Sequence, residues 1–255
     1  MSADSATPNH PPDPDSTEFV SLVTHQLRVP LTAIVGYTDL LLSGMVGPLN
    51  ERQNEFLRTI KRNLTRMDQL IDELSEINRL DAQRADVRPS SFAVEEAINR
   101  AVTRHSAVIQ ERRQQLLVRA PAELPLAYAD FDQVVRVLEI LLHNATQYTA
   151  PEGFIRVIVT VDDQMLMVSV SDNGVGIPEE EQPLVFTPFF RSEVSSVREH
   201  LGWGLSLALA RRLVEAQGGE LSFESEVGEG TTFRFHLPSA FSASAPSDAT
   251  RSTSD

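Results

Sequence analysis

Apolar residues recur at three- and four-residue steps from Phe19 to Leu42. Phe19, Leu22, Val23, Leu27, Leu31, Ile34, Val35, Leu41 and Leu42 fall on one helical face. Ser16 or Thr17 is a suitable cap for this helix. Gly44, Gly47 and Pro48 punctuate its end. From Asn50 to Gln83, Leu57, Ile60, Leu64, Met67, Ile71 and Leu74 alternate threes and fours, a heptad seam that Leu70, Ile77 and Leu80 widen. Two long amphipathic helices joined by a short turn make a helical hairpin. One hairpin cannot cover both of its apolar stripes, so two copies are expected to pair as a four-helix bundle.

Beyond a polar stretch ending at Pro89, the pattern changes. A third helix is expected from Phe92 to about Arg113 and a fourth over Asp130 to Gln147. Short strands are expected at Gln115–Arg119 and Leu126–Ala129. Phe154–Val161 and Met165–Ser171 alternate apolar and polar residues and read as a hairpin turning at Asp162-Asp163. Ile177 to Leu201 lacks periodicity and reads as a long loop. A helix from Gly204 to Gln217 and strands at Leu221–Ser225 and Thr231–Leu237 close the pattern. The expected architecture is an α helical hairpin followed by an α+β two-layer sandwich. Its divisions are a disordered segment 1–16, the hairpin domain 17–83, a hinge 84–90, the sandwich 91–238 and a disordered tail 239–255.

Composition narrows the function. Over 255 residues, Lys plus Arg is 22 against Asp plus Glu 36, a formal net charge of −14. Such a chain is a poor non-specific binder of nucleic acid. It holds no cysteine, so disulfide and thiolate chemistry are excluded. No run approaches about eighteen apolar residues and no signal pattern opens the chain. The expectation is a cytoplasmic protein with no membrane segment, or the cytosolic part of a membrane-bound sensor.

Five motifs carry candidate chemistry. His25 lies among polar neighbours on the first helix, with Pro30 beyond it; a proline inside a helix removes a backbone donor and leaves a kink. Asn144 is a short amide on an otherwise apolar helix, which needs partners for both ends if buried. Asp172-Asn173-Gly174-Val175-Gly176-Ile177 follows a strand, with glycines that let backbone approach a ligand. Gly202-Trp203-Gly204-Leu205-Ser206 runs into a helix start, whose N–H groups suit phosphate oxygens. Val227 to Phe233 makes a tight turn into the last strand. Read singly, His25 is an ordinary surface histidine and Asp172 to Gly174 an ordinary turn.

Together, in this order, the motifs resemble the core of sensor histidine kinases. H-Q-L-R-V-P-L at His25 is similar to the family's phosphoacceptor box. D-N-G-V-G-I, F-T-P-F-F-R at Phe186 to Arg191 and G-W-G-L-S resemble its ATP-binding domain, a fold shared with gyrase, heat-shock and mismatch-repair ATPases. The resemblance covers about Phe19 to Pro238. It implies a dimerisation and phosphotransfer hairpin and a catalytic domain that uses ATP and Mg²⁺. It implies that Asn144 holds Mg²⁺, Tyr148 packs near the nucleotide, Asp172 takes the adenine amine, and Gly174 and Gly176 shape that wall. Phe186 to Gly204 would form a lid, with Phe186 and Arg191 in it. Gly202, Gly204 and Leu205 would lie by the phosphates, and Thr231 would help close the adenine end. His25 would attack the γ-phosphate, with Gln26 beside it at the catalytic position. The implied partners are a second copy, a response-regulator receiver domain, and an upstream sensor domain or protein. The alternative is a degenerate kinase that binds nucleotide and regulator without transfer; a direct ATPase is a third reading.

The sequence departs from the family's pattern. Gln26 stands where the family has an acid, and an amide cannot take the histidine proton; general-base help is worth roughly 10²–10⁴-fold. Val29 offers no hydrogen bond to a water, so weak phosphatase activity is expected. Gln147 replaces a common Lys and Ile140 a common Asn. His200 replaces a lid glycine, and Trp203 is bulky.

Overall fold

The computed structural model describes residues 14–82, 86–162, 165–193 and 202–240, with side chains from residue 19 onward. The chain divides into two compact units, Met1–Ala85 and Asp86–Asp255. Of the expected hinge 84–90, residues 84 and 85 lie outside the described residues. So do residues 1–13, Gln83, Asp163, His200, Leu201 and the tail from 241.

The first unit is the helical hairpin. α1 spans Pro14–Leu42 and α2 spans Glu51–Asp81. α1 has already begun at Pro14, before the expected caps Ser16 and Thr17; proline suits the first helical turn, where its missing N–H costs nothing. α2 starts on a capping box. The Asn50 side chain accepts from Gln53 N–H at 2.8 Å, and Gln53 Oε1 accepts from Asn50 N–H at 2.9 Å. Leu31 of α1 packs with Leu64 and Ile71 of α2, and Val35 lies against them. The Thr24 hydroxyl is buried by donating to Val20 and Ser21 carbonyls. Lys61–Asp39 and Arg28–Asp72 ion pairs bridge the helices; half-exposed pairs contribute little, about 0–1 kcal/mol. Much of the apolar stripe stays exposed, Leu27, Ile34, Ile60 and Met67 included. Against the expectation that no run is long and apolar enough, Phe19–Leu42 passes that test by length and composition alone. In this structure Leu31 and Val35 on it pack against α2.

The second unit holds a five-stranded sheet ordered β2-β4-β5-β7-β6, formed by Gln115–Arg119, Phe154–Asp162, Met165–Asp172, Gly230–Pro238 and Leu221–Glu226. β2 pairs parallel with β4; the other pairings are antiparallel. Helices α3 (Val94–Glu111), α4 (Phe131–Tyr148) and α5 (Ser206–Glu215) supply the other layer. Alternate residues Ile155, Val157 and Val159 of β4, Leu166, Val168 and Val170 of β5, and Phe233, Phe235 and Leu237 of β7 are buried. Alternation with a period of two gives the sheet one apolar face for those helices. α4 is buried along most of its length, from Val134 to Ala145. β1 (Ser90–Phe92) pairs with β3 (Ala127–Ala129) in a small second sheet. β1 was expected to be loop and helix start; α3 begins only at Val94. Ser239, expected in the disordered tail, is buried and bridges Ala127, while Ala240 N–H donates to Leu126.

Candidate functional site

α4, the end of β5, the segment leading into α5 and β7 enclose a cavity of about 160 Å³ in the second unit. Asn144, Gln147 and Tyr148 reach it together because positions three and four apart share a helix face. α4 is fixed at its start by Asp130, whose carboxylate accepts from Gln133 N–H at 3.1 Å and from Arg88 N–H at 2.9 Å. Its end is held by the buried Gln114, whose amide donates to Thr146 and Thr149 carbonyls at 2.9 Å each.

Asp172 ends β5 on the cavity wall. Burial pushes its carboxyl up to about 6, against the pull of backbone N–H donors at Gly174 and Thr231. The Gly174 N–H lies 2.8 Å from Asp172 Oδ1. Beside it, Gly176 takes φ +70, and a Cβ there would stand 2.1 Å from the Glu226 carbonyl oxygen. Only glycine fits that approach. Ile177 N–H then donates to Ser225 Oγ at 2.8 Å, and Ser225 Oγ is 2.9 Å from Thr231 Oγ1. This ties the loop after β5 to the β6–β7 turn. Burial pushes the Tyr148 phenol up, and the Arg191 guanidinium pulls it down.

The opposite wall is the start of α5. Leu205 precedes the helix, fully buried and without a side-chain cap bond. The first N–H groups of a helix have no intrahelical acceptors. Ser206 and Leu207, which carry two of them, line the cavity. That is a ready anion site.

The structure brings Asn144, Tyr148, Asp172, Gly176, Arg191, Gly202, Gly204 and Thr231 to one cavity. Gly174, Phe186 and Leu205 do not line it. Gly174 packs behind, where a Cβ would meet the Tyr148 carbonyl oxygen at 2.5 Å. The Phe186 ring lies edge-on to Phe223 at 5.5 Å, with the Arg211 guanidinium 5.3 Å above it. Phe186 also packs 6.4 Å from Phe233, which does line the cavity. His143 and Glu181 also line the cavity and were not singled out from the sequence; Phe190 and Ser206 line it too and lie inside the motifs F-T-P-F-F-R and G-W-G-L-S. His143 adjoins Asn144, a signal that adjacency alone could have given; Glu181 arrives through the irregular loop, which has no period to read.

His25 and Gln26 belong to the other unit and are exposed on α1. Pro30 has no N–H for the carbonyl of Gln26, so the helix carries a freed acceptor one turn before the proline. The exposed imidazole is open to a reactant.

The residues present fit a nucleotide and a hard cation. Asn144 Nδ2 is buried with no protein hydrogen-bond partner. A primary amide offers an oxygen to a cation and an N–H to a phosphate, so a ligand would complete it. No cluster of three or more His, Cys, Asp or Glu suited to a metal occurs among the described residues. A cation here would thus depend on Asn144 and on the phosphates it accompanies.

Two families match. The His Kinase A (phospho-acceptor) domain matches residues 15–83. The histidine kinase-, DNA gyrase B- and HSP90-like ATPase family matches residues 129–240. The chain is similar to the circadian input-output histidine kinase CikA of Synechococcus elongatus, 33% identical over 87% of this chain and 30% of the relative. It is similar to the sensor histidine kinase MtrB of Mycobacterium tuberculosis, 34% identical over 86% of this chain and 38% of the relative. The chain spans less than half the length of either. Among solved structures, full-length ShkA in complex with AMPPNP shares the fold, with TM-score 0.77 and 23% identity over 88% of this chain and 46% of that one. The catalytic domain of the histidine kinase ThkA aligns with TM-score 0.53 at 25% identity, over 60% of this chain and 98% of that one.

Proposed function

The chain belongs to the sensor histidine kinases, and from that premise we propose that it transfers the γ-phosphoryl group of ATP to His25 and passes it to an Asp of a response-regulator receiver domain. The observation that carries this reading is the chain's pairing of an exposed imidazole on a helical hairpin with a cavity that joins a buried carboxylate, an unsatisfied amide and an uncapped helix start. The adenine amine would donate to Asp172, with Gly176 and Thr231 alongside. Phosphates would meet the start of α5, Gly202, Gly204 and Arg191. Asn144 would hold Mg²⁺, which when bound neutralises charge on the phosphates.

In the transfer, a ring nitrogen of His25 forms a bond to the γ-phosphorus as the bond to the β,γ-bridging oxygen breaks, and ADP departs. The ring loses its proton. Gln26 cannot take it, so it orients the ring and the proton passes to solvent. The product N–P bond suits onward transfer to a carboxylate.

Residues 17–83 would form the dimerisation and phosphotransfer domain and 91–238 the catalytic domain, joined by the hinge at 84–90. The exposed apolar stripe of α1 and α2 would be covered by a second copy rather than by lipid. An upstream sensor would act through α1, and the working location would be the cytoplasm.

The test uses γ-labelled ATP with wild type and His25→Ala. Acid-labile, base-stable label on wild type and none on the variant is expected. Label that persists in His25→Ala would overturn the phosphoacceptor. Free phosphate without labelled protein would overturn the kinase reading.

A further inference from the structure

Trp203 is the chain's single tryptophan. It lines the cavity, yet its side chain is 47% exposed. A large amphipathic ring left half in water at the mouth of a ligand cavity has surface to give to a ligand. Its backbone setting differs on its two sides. On the C-terminal side, Gly204 takes φ +70, and a Cβ there would stand 2.2 Å from the Phe190 carbonyl oxygen. The Gly204 carbonyl accepts from Phe189 N–H at 2.9 Å. Phe189 itself holds φ +65, a costly conformation for an aromatic residue, which implies that its surroundings fix it. On the N-terminal side, a Cβ on Gly202 would meet nothing within 4 Å among the described residues. Trp203 is therefore anchored at the peptide on its C-terminal side. It stands three residues before Ser206, at the helix start suited to phosphate.

We infer that Trp203 is a nucleotide-contacting residue whose indole lies across the phosphate end of the bound nucleotide. The inference rests on the nucleotide reading of this cavity. Two physical properties serve that role. The ring face gives apolar cover, and the indole N–H is a donor with no competing acceptor function, so it suits a phosphate or ribose oxygen. Cover of this kind acts mainly by slowing departure, because it adds contacts made only after the ligand is seated. Nucleotide would thus be retained through this side chain in a site that lacks a Lys at Gln147.

The single indole makes the test direct. Acrylamide quenching of fluorescence is measured on the full chain with and without saturating ADP and Mg²⁺. ADP binding is measured by calorimetry for wild type, Trp203→Phe and Trp203→Gly. We expect the quenching constant to fall by about half on ADP binding. We expect Trp203→Gly to weaken ADP on the order of tenfold, and Trp203→Phe to keep most of the affinity. ADP heat with unchanged quenching, or Trp203→Gly within twofold of wild type, would overturn the inference and leave the nucleotide reading standing. No ADP heat in wild type would overturn both. The phenylalanine variant guards against a loss that comes only from misfolding.

Discussion

At the scale of the residue, Asp172 sets stability against binding. Its carboxyl is raised from 3.8 to about 6 by burial. A carboxyl raised in the folded state favours folding when protonated. That contribution is whole below 3.8, falls as pH rises, and is gone above about 6. At pH 7 the folded chain therefore carries an ionised, partly desolvated group. Asp172→Asn keeps an acceptor for the Gly174 N–H and removes the charge. It should stabilise the catalytic unit by roughly 2 kcal/mol at pH 7, read as a higher thermal midpoint. It should also lose most ADP affinity, because the carboxylate proposed to accept the adenine amine is gone. In wild type, ADP affinity should fall as pH drops from 7.5 through about 6. The Asp172→Asn variant should be weak and flat across that range; a wild-type affinity that stays constant would refute the assignment. Gln26 poses the complementary question. It is exposed beside His25 and cannot accept a proton. Gln26→Glu should raise the initial rate of label incorporation, by tenfold or more if proton removal limits transfer. No change, or a fall, would place the limit elsewhere. Asp172 and Asn144 were legible in the sequence because short polar groups stand out in apolar elements. Phe186 does not line the cavity; its ring packs against Phe223 and Phe233, which a motif position alone does not reveal.

At the scale of the element, the two helices of the hairpin were legible because their apolar period runs for many turns. β2 was legible as a short apolar run, Leu116 to Val118, between the polar Gln115 and Arg119. β1 was not. Its three residues, Ser90 to Phe92, follow a proline and are too few to show a period; they become strand only because Ala127–Ala129 offers a partner. Ser239 is a similar case, fixed by a bridge to Ala127 that no local pattern announces. α1 has an irregularity at Pro30. Pro30 withholds a donor from the Gln26 carbonyl one turn before it. An interior proline costs about 3 kcal/mol in a helix. Pro30→Ala should therefore raise the thermal midpoint of the hairpin unit. It should also lower label incorporation at His25, because a straightened helix re-aims the imidazole and its neighbours. The paired measurement separates the effects: a higher midpoint with undiminished phosphorylation would show that the proline has no part in presenting His25.

At the scale of the whole molecule, the two units solve burial differently. The catalytic unit closes its own core: alternate strand residues and three helices leave Phe235, Leu138, Leu166 and Leu209 fully buried. The hairpin does not. Only Leu31, Leu64 and Ile71 form its described buried cluster, with Val35 against it, while Leu27, Ile34, Ile60 and Met67 remain 44–48% exposed. A seam of this length left open to water is a large exposed apolar patch, which marks an interaction surface. The heptad spacing of α2 matches a four-helix arrangement, in which a second hairpin covers the same residues. In such a dimer each copy would bury its Ile34 and Ile60 in a shared interior. Placing a charge there should cost the dimer far more than the monomer, since the side chain is already half exposed in one hairpin. Ile34→Glu and Ile60→Glu together should give a monomer by sedimentation velocity, at concentrations where wild type is a dimer. The catalytic unit should keep its thermal transition and ADP affinity, because its core is its own. Phosphorylation of His25 should fall only if the second copy is needed to present it. A double variant that still sediments as a dimer would show that the open stripe is covered by something other than its own copy.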